Sequence, residues 1–277
     1  MESVVSPEPS QKTPSDSSSK QVTTIEELKD STDAELTKIR LMRAFVEARD
    51  PSSKEVDDLM IRRFLRARNL DVEKASAMFL KYLKWKRSIM PNGYISPSEI
   101  AEDIAQEKVF VQGLDKKGRP IVVAFAAKHF QSKNGADGFK RIILPSDPMQ
   151  FAFQVLLLND NKYFFCMMPP GQEKFLSIAD IEGWGYANSD LRGYLNALST
   201  LQDCYPERLG KMFIVHAPYL FMRIWKMIYP FIDDNTKKKI VFVENKKLKS
   251  TLLEEIEESQ LPDIYGGQMP LVPIQDS

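Results

Sequence analysis

A chain of 277 residues in which 38 Lys and Arg balance 38 Asp and Glu carries no net charge, which argues against a general electrostatic affinity for nucleic acid and confines any use of charge to local clusters. The length can bury a sizeable core, and one domain with a smaller appendage fits the pattern below better than one large α/β domain. Cys166 and Cys204 have apolar neighbours and neither metal-ligand nor disulfide spacing, so they read as buried, reduced thiols of a cytoplasmic protein.

Residues Met1 to about Gln21 are rich in Ser and Pro and nearly lack large apolar side chains, which predicts a disordered tail over 1–22. That segment has no leader pattern, and no stretch reaches the roughly 18 consecutive apolar residues of a membrane span. Membrane contact is therefore expected from the surface. From Asp33 to Arg49, Leu36, Ile39, Met42, Phe45 and Val46 recur at helical spacing until Asp50-Pro51. A second helix is predicted over Ser53 to Arg68, with Val56, Leu59, Met60 and Phe64 on one face; its Arg62, Arg63, Arg66 and Arg68 read as a solvated face. Asn69 can close that helix and Asp71 can cap a third running to about Arg87. Short connections make these a small helical region, 23–95.

Ser96-Pro97-Ser98-Glu99 predicts a short helix start, after which the period changes. Val109 to Val111 and Ile121 to Ala126 are β-type runs joined by Asp115-Lys116-Lys117-Gly118, a hairpin at a sheet edge with Pro120 opening its second strand. Gln131 to Asp137 reads as a loop. A very apolar helix is predicted from Asp147-Pro148, through Phe151, Phe153 and Val155 to Leu158. The runs Lys174 to Ile181, Met212 to Val215 and Ile240 to Val243 then alternate with helical segments, the last of which Thr251 and Glu254 can box. Strands alternating with helices predict parallel pairs, and the hairpin makes the sheet mixed.

Hydrolase, P-loop, zincin and dinucleotide motifs are missing from the sequence, as is the arginine that a phosphate-cradling Cys166 loop would need. His129 and His216 stand singly and read as structural, which leaves neither a histidine base nor a multi-histidine metal site. Trp184 and Trp225 lack a basic, aromatic-interleaved setting and read as core or membrane-facing residues. The densest stretch is Leu201 to Phe242. It sets Glu207 and Arg208 at the Tyr205-Pro206 break beside an apolar run and the segment Tyr219 to Tyr229, whose only charges are Arg223 and Lys226. Such a juxtaposition suggests a polar group at the mouth of an apolar compartment.

The run LQDCYPERLGKMFIVHAP, with Trp225, Pro230-Phe231, Thr236, Lys239-Ile240, Leu261-Pro262 and Tyr265-Gly266-Gly267, resembles the CRAL-TRIO family, most closely its phosphatidylinositol transfer branch. Ile61 to Arg68, Asp115 to Pro120 and Asp180 to Gly183 extend the resemblance over about residues 55–268. It implies an α/β fold in which a small N-terminal helical bundle precedes a lipid-binding domain (96–268, then a tail 269–277), with a mixed, mostly parallel sheet flooring a hydrophobic pocket under a mobile gate helix.

By resemblance, Tyr219 to Tyr229 is that gate, with Tyr219, Phe221, Met222, Ile224, Trp225 and Ile228 its apolar residues; a buried core helix remains the alternative from composition. Carried over by motif, Arg68, Glu207 and Lys239 serve the headgroup. A carboxylate accepts hydrogen bonds from inositol hydroxyls, and the cations neutralise phosphate. A structural Glu207–Lys239 ion pair is the alternative. Asn69 stands where a second basic residue often follows Arg68. Val111, Val122 and Phe175 replace the hydroxyls and tyrosines of phosphatidylcholine binders, leaving Ser177 at the matched pocket positions. The resemblance thus implies a monomeric, non-enzymatic carrier, without cofactor or metal, that takes one phosphatidylinositol and touches membranes transiently. A neutral ligand of sterol, tocopherol or retinoid type, or a lipid-regulated scaffold, is the rival.

Overall fold

The computed structural model describes residues 32–89, 109–128, 171–189 and 191–272, together with Glu107 and Pro169. The expected tail, the helices from Ser96 and Asp147, the loop at 131–137, His129 and Cys166 lie outside the described residues.

Three helices form the N-terminal bundle: α1 (Asp33–Glu47), α2 (Asp58–Ala67) and α3 (Val72–Ile89). Their apolar stripes meet in one cluster built on Ile39, Met42, Phe64 and Phe79, each at most 2% exposed. The predicted second helix is divided. Asp50 caps a 3-10 turn over Pro51–Glu55, Val56 is extended, and Asp57 opens α2 by accepting the Met60 N–H. The break is held by Arg43 of α1, which donates to the Val56 carbonyl at 2.9 Å and pairs with Asp58. After Ala67, Asn69 and Leu70 take left-handed backbone, and Leu70 N–H bonds the Leu65 carbonyl at 2.8 Å, a Schellman closure that turns the chain sharply.

Among the described residues five strands form one sheet in the order β1 (Val109–Leu114), β2 (Pro120–Phe125), β3 (Phe175–Asp180), β4 (Leu209–Val215), β5 (Ile240–Phe242). β1 is antiparallel to β2 and all later pairs are parallel, as the alternation of strands and helices predicts. In the hairpin turn Gly118 adopts φ +70°, while the Asp115 carboxylate accepts the N–H groups of Lys117 and Arg119. Four further helices complete the described chain: α4 (Leu191–Cys204), α5 (Tyr219–Ile228), the short α6 (Asp234–Lys237) and α7 (Leu248–Leu253).

Side-chain alternation gives this sheet two faces with different duties. One face, with Ile121, Val123, Leu176, Ile178, Phe213 and Val215, is covered by Leu252, Ile256, Leu261 and Tyr265 of the C-terminal segment. That cover explains why α7 begins at Leu248 rather than at a Thr251 box: the earlier start sets Leu252 and Ile256, both fully buried, against the sheet, so Thr251 and Glu254 end the helix. Gly267 lies so close to Leu261 that an added Cβ would stand 2.0 Å from its carbonyl oxygen. Across the strand ends, Glu255 gathers Arg119, Lys117 and Lys211 at 2.8–3.0 Å. Against the opposing cost of burial, the lysines Lys211 and Lys117 hold its carboxyl down at about 2.

The basic stripe of α2 is not solvated along its length. Arg62 and Arg63 are 4% and 5% exposed, and each donates to the carboxylate of Glu173 at 2.6 Å. Burial alone would raise the Glu173 carboxyl, but the two guanidinium groups outweigh it and hold it below the usual carboxylate range. This buried junction joins the helical bundle to Glu173, two residues ahead of β3.

Candidate lipid-binding site

The connection from α4 to β4 is short and bent. Glu207 adopts φ +59°, a left-handed conformation that costs a non-glycine residue on the order of 1–3 kcal/mol. The bend sends the adjacent acid and base in different directions. Arg208 turns into the core, 8% exposed, where its Nη1 donates to the Glu173 carbonyl at 3.0 Å and its own carbonyl accepts the Phe175 N–H. Burial, and then the neighbouring Arg63, push its guanidinium down to about 9, which leaves it charged at neutral pH. Glu207, which like Arg208 borders a cavity of about 520 Å³, stays more exposed, its side chain at 21%.

The sequence-predicted headgroup residues Arg68, Glu207 and Lys239 all border that cavity. Lys239 Nζ lies 3.5 Å from Glu207 Oε2, and Lys174 Nζ approaches the same oxygen at 3.5 Å. Lys239 is set at the start of β5 by α6, which Asp233 caps through the Thr236 N–H, and by its own N–H bond to the Thr236 carbonyl. Arg68, at the end of α2, reaches Asp203 at 4.0 Å, and Asp203 also pairs with Lys81 at 2.7 Å. Lys174 was not singled out from the sequence, because its position at the head of an apolar run signals only a strand start. Tertiary packing alone brings it to Glu207.

The apolar end is floored by the other face of the sheet, with Phe175, Ala179, Met212, Ile214 and Ile240, and walled by α4 through Leu198 and Leu201. Helix α5 roofs it. Phe221, Trp225 and Ile228 face inward; Phe221 meets Trp184 edge-on at 5.5 Å and Trp225 meets Phe242 at 5.2 Å. Tyr219 and Met227 face outward, 77% and 53% exposed, beside exposed Arg223 and Lys226. Met222 and Ile224 are half-buried and do not border the cavity. The helix apolar nearly all round is thus two-sided, with a greasy inner stripe and a mixed outer one.

Of the expected pocket-lining set, Phe175 borders the cavity, whereas Val111, Val122 and Ser177 do not. All three share the floor's face, because Val111 pairs with Val122, Val122 with Ser177 and Ser177 with Met212. They are buried toward the β1 edge, where the described part of the cavity does not extend. The Ser177 hydroxyl finds no hydrogen-bond partner among the described residues. Trp184 is a core residue whose indole N–H donates to Tyr194, and His216 is held by Asp180 at 3.0 Å. Buried Cys204 ends α4; burial pushes its thiol up to about 12, so it is inert at neutral pH.

A mixed sheet flooring an apolar cavity, with an ionic mouth between an N-terminal bundle and a Pro-Glu-Arg bend, is matched by a family model described as "CRAL/TRIO domain" over residues 105–267. The chain belongs to the CRAL/TRIO family. It is 30% identical over 223 residues to the Sec14 cytosolic factor of Schizosaccharomyces pombe, a match covering 78% of this chain and 76% of that protein. It is 31% identical to the phosphatidylinositol/phosphatidylcholine transfer protein SFH7 of Arabidopsis thaliana, across 76% of this chain but 39% of the relative, and 27% identical to Patellin-4 of the same plant, across 77% and 38%. The crystal structure of Sfh5 shares the fold at a TM-score of 0.55 with 14% identity, over 79% of this chain and 84% of that one. The CRAL/TRIO match begins ahead of β1, so α1 to α3 precede it. Among the described residues no helix is long and apolar enough to cross a membrane.

The left-handed Glu207 gives a direct check on whether this bend is shaped for binding rather than for stability. Glu207→Gly is expected to leave the unfolding free energy unchanged or raise it by up to about 1 kcal/mol, because glycine relieves the backbone strain while only partly exposed ion pairs are lost. Urea denaturation measures it. A loss exceeding about 1 kcal/mol would mean that the lysine pairs outweigh the strain.

Proposed function

We propose that this CRAL/TRIO protein binds a single phosphatidylinositol, with the headgroup at Arg68, Glu207 and Lys239 and the acyl chains between the sheet and α5, and transfers or presents it between membranes. The observation that carries the reading is the continuity of one cavity from an ionic end, where a strained carboxylate stands between two lysines, to an apolar floor and roof. Glu207 accepts inositol hydroxyls, and Lys239 with Arg68 neutralises the phosphate. Its relatives named as phosphatidylinositol/phosphatidylcholine transfer proteins support the ligand class. Each acyl methylene moved from a bilayer into water costs about 0.8 kcal/mol, so the cavity replaces the bilayer and α5 acts as the gate. The outer face of α5, with Tyr219, Met227, Arg223 and Lys226, is the surface that meets anionic headgroups transiently. The domain limits follow: a helical region over 23–95 and a lipid-binding unit over 96–268, acting as a cytoplasmic monomer without catalysis.

Phe175, the apolar replacement that borders the cavity, favours the rival, a neutral hydrophobic ligand in the same cavity. Native mass spectrometry of the purified full chain after exposure to mixed vesicles separates the two. One phosphatidylinositol per chain is expected; a chain holding only sterol-type or other neutral lipid overturns the proposal.

A further inference from the structure

The sheet carries a second constellation, at the carboxyl ends of β3 and β4 and away from the lipid cavity. Asp180 closes β3, Glu182 follows two residues later, and His216 comes directly after β4; one donor atom from each lies within 4.8 Å of the other two. The carboxyl ends of parallel strands are where α/β sheets commonly place ligands. Asp180 Oδ1 stands 3.0 Å from His216 Nδ1. Two donor atoms each about 2.1 Å from one ion, at angles between those of an octahedron and a tetrahedron, are themselves about 3.0–3.4 Å apart.

The second oxygen of Asp180 accepts the Tyr265 hydroxyl at 2.8 Å, the kind of outer hydrogen bond that orients a ligating carboxylate. These groups border a cleft of about 390 Å³. Lys128 also borders it, but its ammonium donates to the Glu107 carbonyl at 2.9 Å and lies over the rings of Phe125 and Phe110. Among the described residues no Lys or Arg reaches ion-pair distance of Asp180 or Glu182, so His216 is the only basic side chain paired with either. Asp180 is 3% exposed, its Oδ1 also accepts the Glu182 N–H at 2.9 Å, and the exposed Glu182 carboxylate completes the group.

We propose that Asp180, Glu182 and His216 bind one divalent transition ion of the zinc type, with the remaining position open to water. Imidazole beside carboxylates selects such an ion over magnesium or calcium, which take oxygen ligands alone. Bound there, the ion ties the ends of two parallel strands to the C-terminal segment through Tyr265. The proposal is independent of the lipid reading.

Titration of zinc chloride into the chelator-treated full chain, followed by calorimetry and by thermal unfolding, tests it. One ion per chain and a raised melting temperature are expected. Glu182→Gln and His216→Asn should each weaken binding at least tenfold; asparagine suits the left-handed φ of +51° at position 216, so the fold survives. Tyr265→Phe, which touches no ion, should weaken binding by about 10- to 100-fold. Absence of stoichiometric binding overturns the proposal, as does zinc binding that none of the three variants alters. Competition by equimolar magnesium would overturn the ion class.

Discussion

Lys239→Ala is expected to abolish phosphatidylinositol transfer between vesicles while leaving the fold intact. The side chain is 19% exposed with its ammonium 3.5 Å from Glu207, on a residue whose own N–H and carbonyl are already used by Thr236 and Met212. Truncating it therefore removes a charge without disturbing the backbone that positions it. Loss of a hydrogen bond to a charged group costs about 1.5–3 kcal/mol, which is roughly a 10- to 150-fold loss of affinity. Lys174 borders Glu207 as well and keeps that carboxylate paired in the variant, so stability should change by less than about 1 kcal/mol. Transfer within twofold of wild type would remove Lys239 from the headgroup site. If the same variant still carried a neutral lipid at full strength, the loss would be assigned to the headgroup and not to the cavity.

Glu173→Ala is expected to destabilise the protein by about 3–5 kcal/mol in urea unfolding, a large part of the 5–15 kcal/mol that holds a domain together. Its carboxylate is the shared partner of Arg62 and Arg63, whose side chains are 5% and 6% exposed, and removing it takes the carboxylate from two buried cations. The pH dependence has a definite sign. The folded Glu173 carboxyl lies below its ordinary value, so its contribution is complete above the usual carboxylate range and is lost as pH falls through the lower folded value. The gap between wild type and Glu173→Ala should therefore be widest near neutrality and close in strong acid. A gap below about 1 kcal/mol at pH 7 would mean that the junction is solvated after all.

How much of this was legible beforehand depended on the range of the interaction. The hairpin at Asp115 to Gly118 and the cap at Asp71 are local: a side chain bonds backbone two or three residues away, and the residue types announce it, as they do the strand runs. Arg68, Glu207 and Lys239 were singled out only through motif resemblance, and all three border the cavity. The basic stripe of α2 misled because charge patterning cannot show that a carboxylate 110 residues away will meet it. Asp180, Glu182 and His216 escaped for the same reason, since two adjacent strands, not any motif, place His216 beside the others.

What the sequence by itself determined was the alternation of elements and the family, since both rest on periodicity, caps and short motifs read along the chain. Tertiary structure alone decided the duty of each charged group. Whether a Lys or Arg is solvated, buried in a junction as Arg62 and Arg63 are, or held at a cavity mouth as Lys239 is, depends on the dielectric around it and on partners far away in the chain. The same holds for the adjacent pair Glu207 and Arg208. One left-handed residue leaves the acid beside Lys174 and Lys239 and the base on the buried Glu173 carbonyl, a division of labour that two neighbouring letters cannot express.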